Sequence, residues 1–330
     1  RRSSRQKLGK SINKPAKERE FLNMKKQPCH FELVEKFILF TIFVLLPQFF
    51  LSCSSAPKRI MLVTDTRDLS YSQLDGANLS LSEENYERAF NQLNSAYNLA
   101  LSVDNTELLC KISLSAIILK INCKNLSELI PAINLKNSSE AKSFLAQSKE
   151  EILQDAKKFA SRSDEADKKF LSDLCVIYDV KIQLANDTGK NYASLLEGVK
   201  ATVSKEPYYS AFLERTLGDV FMADEKYSDA CLHYEEAAKI HTKNRYLLEI
   251  GTDYYSASRA YSQNGQKKEA VSAIKMALKY DKDAENTLGI VADYLAYSKI
   301  LLKGNPTEEE KLLSAELLKW SEKIAENTRN

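Results

Sequence analysis

The side chains able to do chemistry are few and scattered. Adjacent acids occur at Glu83-Glu84, Glu235-Glu236 and Glu308-Glu309-Glu310. General acid–base work needs carboxyls whose surroundings drive their pKa values apart. These runs read instead as solvated helix faces. Those near helix starts also meet the positive end of a helix dipole. Beyond residue 53 there are two histidines, His233 and His241, and neither stands in a His/Cys cluster with metal spacing. His233 reads as a surface or packing residue. Cys110, Cys123, Cys175 and Cys231 are far apart in sequence, and three lie in apolar helical stretches. They read as buried free thiols, since cysteine packs as a small hydrophobe. Cys110 and Cys123 are the nearest pair in sequence should an oxidising compartment join two of them. There is no glycine-rich phosphate loop, no HExxH helix and no nucleophile elbow. The pattern points away from catalysis, and no cofactor or metal is expected.

One further cysteine is placed differently. Phe37–Leu51 is a greasy stretch of fifteen residues, interrupted by Pro47 and Gln48 and followed by Ser52-Cys53. A membrane span takes about 20 apolar residues, so this stretch is short for one. It has the length of a signal-peptide core. Met24-Lys25-Lys26 supplies a start residue and two positive charges ahead of it. Leu51-Ser52-Cys53 resembles the processing site of bacterial lipoproteins, with a small residue before the cysteine. The resemblance implies cleavage before Cys53 and acylation of its thiol (palmitate and related chains). An uncleaved N-terminal anchor is the alternative. Residues 24–52 are thus expected to be the signal peptide and 53–68 a flexible tether. Residues 1–23 are expected to be an upstream extension without a fold of its own. The expected location is the cell envelope, on a bacterial membrane, facing the periplasm or the surface.

The leader changes the charge balance. The whole chain carries 47 basic and 45 acidic residues; residues 1–52 take eleven and four of them, leaving 36 and 41. A mildly acidic body does not suit nucleic acid, which asks for a basic face. Glycine and proline number only 9 and 7, and scarce helix breakers favour helices.

The elements that must position any site are helical and repeated. In Ala211–Asn244, small residues recur at Gly218, Ala230 and Ala237, beside the larger Phe221 and Tyr234. Small side chains let two helices approach closely, and 222–226 reads as the turn between them. This stretch resembles the tetratricopeptide repeat, a 34-residue helix–turn–helix unit. Glu214 stands where that family has a large apolar residue, and Thr242 where it has proline. A second copy covers Gly251–Ala284, with Ser258, Ala270 and Ala277 at the small positions and a turn at Asn264-Gly265. The step from Ala230 to its counterpart Ala270 exceeds the ideal repeat, so a linker or first helix is longer than in the ideal unit. A third, Ser70–Val103, places Ala77, Ala89 and Ala96 there.

Between and beyond these copies the pattern weakens. Helices are predicted over 106–122, 138–160, 170–185, 192–203, 286–302 and 308–326, with Pro131 interrupting 126–135. Ser82, Asp104 and Ser138 read as helix caps. Arg59–Val63 reads as an isolated extended run. The expected fold is all-α: a solenoid of stacked helix pairs, several of them degenerate, over 69–330.

In the family, the first helices of successive pairs line a concave groove. Carried over, its lining here is Phe212, Arg215, Asp219 and Met222, then Thr252, Tyr255, Arg259 and Ser262, then Tyr71, Leu74, Asn78 and Leu81. Aromatic, aliphatic and arginine side chains together suit a peptide or an amphipathic helix. Arg215 and Arg259 are expected to hold a carboxylate. Replacing both should weaken partner capture without unfolding the chain. The expected function is a membrane-anchored scaffold, not an enzyme, that binds an envelope protein or peptide, with self-association a further option. The alternative follows from a likeness to helical lipoproteins associated with TRAP transporters: a component that binds a small ligand or a transporter subunit.

Overall fold

The computed structural model describes residues 64–123, 126, 144–186 and 192–328. Cys53, the leader, most of the tether, 59–63, Pro131 and Ser138 lie outside these residues. Thr64–Asn330 is one compact unit. Its helices are α1 (Asp65–Ser82), α2 (Tyr86–Ser102), α3 (Thr106–Asn122), α4 (Lys149–Arg162), α5 (Glu165–Ala185) and α6 (Ala193–Val203). After them come α7 (Pro207–Ala223), α8 (Tyr227–Asn244), α9 (Leu247–Gln263), α10 (Lys267–Asp283), α11 (Thr287–Leu302) and α12 (Glu308–Thr328). Each helix packs on the next in the chain, and α1 on α3, α3 on α5, α5 on α7 and α9 on α11 as well. That is the packing of an all-α solenoid, with the odd-numbered helices forming one layer.

The long repeat step has a clear source. α7, α9 and α11 begin at Pro207, Leu247 and Thr287, evenly spaced by the same step that separates Ala230 from Ala270. The first helices of the second and third copies along the chain start four residues before Ala211 and Gly251, so the extra length lies in those helices. α1 likewise starts at Asp65, inside the stretch expected to be tether.

Most of the tight turns share one design. Glu84, Asp104, Glu225, Arg245, Gly265 and Glu285 all take positive φ. In each, the next N–H bonds back to a carbonyl five residues earlier, as in Lys226 N to Phe221 O (2.8 Å) and Asn286 N to Asp281 O (2.8 Å). This is the Schellman ending, which satisfies carbonyls that the helix leaves open. In five of the six, two residues separate the helix from the next cap, which displaces two of the expected caps. Asn85 and Asn105 accept from Arg88 N (3.2 Å) and Leu108 N (3.1 Å). Ser82 ends α1 instead, and Asp104 is the left-handed residue of its turn. The single helix expected over 138–160 is interrupted: 144–146 are helical, and a capping box, Ser148 with Glu151, starts α4 afresh.

The main core spans α1 to α7. α3 is apolar on all sides and correspondingly enclosed: Leu108, Leu109, Ile112, Ile117 and Leu119 are fully buried. Smaller clusters of buried residues hold α8 to α12. At the eighth position of each unit a small residue is buried: Ala77, Gly218, Ser258 and Ser298. A methyl group added at Gly218 would come within 2.6 Å of the Tyr234 ring. Ala230, Ala237, Ala270 and Ala277 are all fully buried, while Phe221 is partly so. Cys110, Cys123, Cys175 and Cys231 are free and buried. Among the described residues, no helix is long and apolar enough to cross a membrane.

Candidate functional site

The residues expected to line one groove do not share one: some line two places of different character, and Asp219 and Met222 line neither. The first is a polar chamber of about 200 Å³ with walls from α1, α3, α5, α7 and α9. Phe212 and Arg215 enter it from α7, beside Asn78, Ser115, Tyr178 and Glu249. The Phe212 ring leans on Tyr178, with centroids 5.2 Å apart, and Lys181 Nζ lies 5.7 Å from its centroid.

Arg215 is not available to a ligand's carboxylate. Its Nε is 2.5 Å from Asp253 Oδ1, its Nη1 is 2.6 Å from Glu249 Oε2, and its Nη2 donates to the Glu249 carbonyl at 3.0 Å. The Asp253 side chain is 0% exposed. Its other oxygen meets His241 Nδ1 at 2.6 Å, inside the protein. Ser82 Oγ, on α1, donates to Glu249 Oε1 at 3.0 Å. The array therefore curls until its first helix reaches its ninth. Burial works against the Arg215 charge, but Asp253 and Glu249 outweigh it and raise the pKa. Burial likewise works against the Glu249 carboxylate, and Arg215 and then His241 still bring its pKa down. Removing one member of such a buried set leaves the others charged and unpaired, so the expected mild effect of replacing Arg215 is corrected to a structural one.

Asp219 is also committed. It meets Lys181 Nζ at 2.8 Å and accepts from Tyr234 OH at 2.7 Å, tying α5, α7 and α8 together. Met222 packs against the small cluster around Ala230 and Ala257. His233 has a partner after all: its Nδ1 lies 2.7 Å from Glu214, and its ring stacks on Phe221 at 5.1 Å. Glu214 also meets Lys200 Nζ at 2.8 Å. Burial resists its charge, yet His233 and Lys200 keep its pKa below the ordinary value. A charged residue thus fills the place of the family's large apolar one, with its charge balanced from two helices.

The second place is a trough of about 640 Å³ between α9 and α11. Tyr255 and Arg259 line one wall; Leu295, Lys299, Leu302 and Lys303 line the other. No carboxylate is among its described lining residues. Leu295 is 38% and Leu302 45% exposed. Lys303 donates to Ser262 O and reaches Gln263 Oε1 at 3.3 Å. Arg259 is exposed, as is Lys299, and among the described residues neither has an ion-pair partner. The structure therefore separates Arg215 from Arg259, and it brings Arg259 beside Lys299 instead.

Lys299 and Leu295 did not emerge from the sequence reading, although a signal existed. Lys299 stands one repeat step after Arg259, and Leu295 one step after Tyr255. Extending the step from Ala230 to Ala270 by one more unit would have found both. Among the described residues, no group of three or more His, Cys, Asp or Glu could hold a metal ion. No protein-family model matches the chain, and no curated protein matches it.

Proposed function

We propose that this chain is a lipid-anchored scaffold of the bacterial cell envelope. In this reading its helix pairs are lengthened tetratricopeptide-like units, and its partner is an envelope protein or peptide that presents acidic and apolar groups together. The observation that carries the reading is the trough between α9 and α11. It sets two unpaired cations, Arg259 and Lys299, beside exposed Leu295 and Leu302, with no acid among its described lining. Apolar contact supplies affinity in such a groove, and fixed cations set the direction and register of the bound segment. Acylation of Cys53 would keep the array close to the bilayer; one acyl chain alone anchors weakly, so more than one is needed.

The test is photocrosslinking in intact cells, with a photoreactive residue at position 295 of the full chain. A defined crosslinked protein is expected, and it should disappear when Arg259→Glu and Lys299→Glu are combined. Crosslinking that survives the double charge reversal would remove the trough from the reading. One observation favours a second reading, a small-ligand component: the chamber walled by Asn78, Ser115, Tyr178 and Phe212. A small molecule retained by the purified chain in native mass spectrometry would move the site there.

A further inference from the structure

Where α9, α10 and α11 meet, two aspartates lie inside the protein. Asp281, on α10, is 4% exposed, and Asp293, on α11, is 1% exposed. Asp281 sits in a cradle made by two glycines. A side chain on Gly251 (α9) or on Gly289 (α11) would overlap its carboxylate. The Asp281 carboxylate thus lies against α11 at Gly289, one turn before Asp293 on the same helix face. Asn286 Nδ2 donates to Asp281 Oδ1 at 3.2 Å, but as a carboxylate Asp293 finds no donor for either oxygen.

The neighbouring charges are all engaged elsewhere. On α9, Asp253 is held by Arg215 and His241. On α10, Lys282 lies over the Tyr294 ring at 5.3 Å, Lys275 over Tyr297 at 5.8 Å, and Lys279 beside Asp283 at 3.8 Å. Tyr280 stacks on Tyr254 of α9, Glu285 in the turn is exposed, and α12 adds Ser314 bonded to Ser298. Among the described residues, no cation pairs with either carboxyl, and Asp293 feels only Asp281.

Two close carboxyls cannot both be charged in such a place without a large cost. A single proton removes the conflict. On Asp293 it turns an oxygen without a partner into a donor to Asp281, so both residues become satisfied at once. We propose that Asp281 and Asp293 share one proton at neutral pH, and that this proton is a pH-sensitive clasp holding α11 and α12 onto the rest of the array. Burial, with the Asp281 charge beside it, raises the Asp293 pKa to about 9. The folded state binds a proton that the unfolded chain has released, so the clasp is intact at acid pH and is lost as pH rises through that value. None of Gly251, Asp281, Gly289 and Asp293 lines the trough, so the clasp does not depend on what binds there.

Hydrogen exchange of the full chain, corrected for the intrinsic rate, tests this helix by helix. Between about pH 5 and about pH 9, protection of α11 should fall by up to about tenfold per pH unit, the slope that one linked proton gives. α7 and α8 should not follow it over that range. Asp293→Asn keeps the shape and a donor toward Asp281, so α11 should become insensitive to pH and better protected at the alkaline end. The wild-type chain offers a check free of mutation: its infrared spectrum should show a protonated carboxyl band at neutral pH that vanishes in alkali. Protection of α11 independent of pH, or absence of that band at neutral pH, would overturn the clasp.

Discussion

Two adjacent regions of the array treat buried charge in opposite ways. Between α7 and α9, the buried acids Asp253 and Glu214 and the half-buried Glu249 meet cations or histidine within 2.5 to 2.8 Å. Between α10 and α11, Asp281 and Asp293 have only each other, Asn286 and a proton to balance them. Meanwhile Arg259 and Lys299, a few turns away on α9 and α11, stay exposed and unpaired. The first arrangement locks helices together. The second leaves positive charge outside for something else and makes the joint responsive to pH. The same lengthened unit builds both, so the contrast comes from side chains alone.

The largest test breaks the locked region. Arg215→Ala should cost about 3–5 kcal/mol in chemical denaturation, because it leaves Asp253 and Glu249 buried and unpaired. A loss below about 1 kcal/mol, the usual worth of an exposed pair, would show that water reaches the network and that the contrast fails.

Acid sharpens the comparison from the other side. Glu249 and Glu214 have folded pKa values below the ordinary one. Their contribution is therefore present above the normal glutamate range and is lost as pH falls through the folded values. The aspartate pair has the reverse sign. Hydrogen exchange should thus show α7 to α9 loosening in acid while α10 and α11 tighten. Parallel pH profiles for the two regions would contradict the assignment of charges.

The turns provide a smaller test, in which the two regions should agree. Glu225 closes α7–α8 and Glu285 closes α10–α11, both at positive φ. A non-glycine residue there strains against its own backbone by roughly 1 kcal/mol. Glu225→Gly and Glu285→Gly should each raise stability by about 0.5–1 kcal/mol, part of the gain being offset by glycine's greater freedom when unfolded. Thermal or urea melts read this directly. A gain in one region only would mean that the turns are not equivalent.

How much of this was legible follows from the same features. The helix pairs were, because small residues at close crossings mark a sequence strongly: Gly218, Ala230 and Ala237 set the register of α7 and α8. The turns were less so. Of the six Schellman turns only one has glycine, Gly265, and Glu84, Asp104, Glu225, Arg245 and Glu285 give no local sign of left-handed backbone. The caps were misplaced for this reason. The site residues were the least legible. Arg215 and Arg259 occupy related places in neighbouring units, but whether an arginine reaches solvent depends on what the next helix presents. Asp253 and Glu249, on the first helix of the following pair, capture Arg215; Asp293, one repeat step after Asp253, is buried on α11, and Arg259 stays exposed.

The smallest expected effect separates a scaffold surface from a structural one. Arg259 and Lys299 make no ion pair among the described residues, so replacing both by Ala should change stability by no more than about 0.5 kcal/mol, the usual range for surface positions. Their removal should nevertheless abolish capture of a crosslinked partner at position 295. Arg215→Ala should do the opposite, lowering stability while leaving the two cations of the trough in place. If the double variant melts far below the wild type, the two cations are part of the packing between α9 and α11. The trough would then be a seam between repeats, and the difference between the two regions of the array would be one of degree.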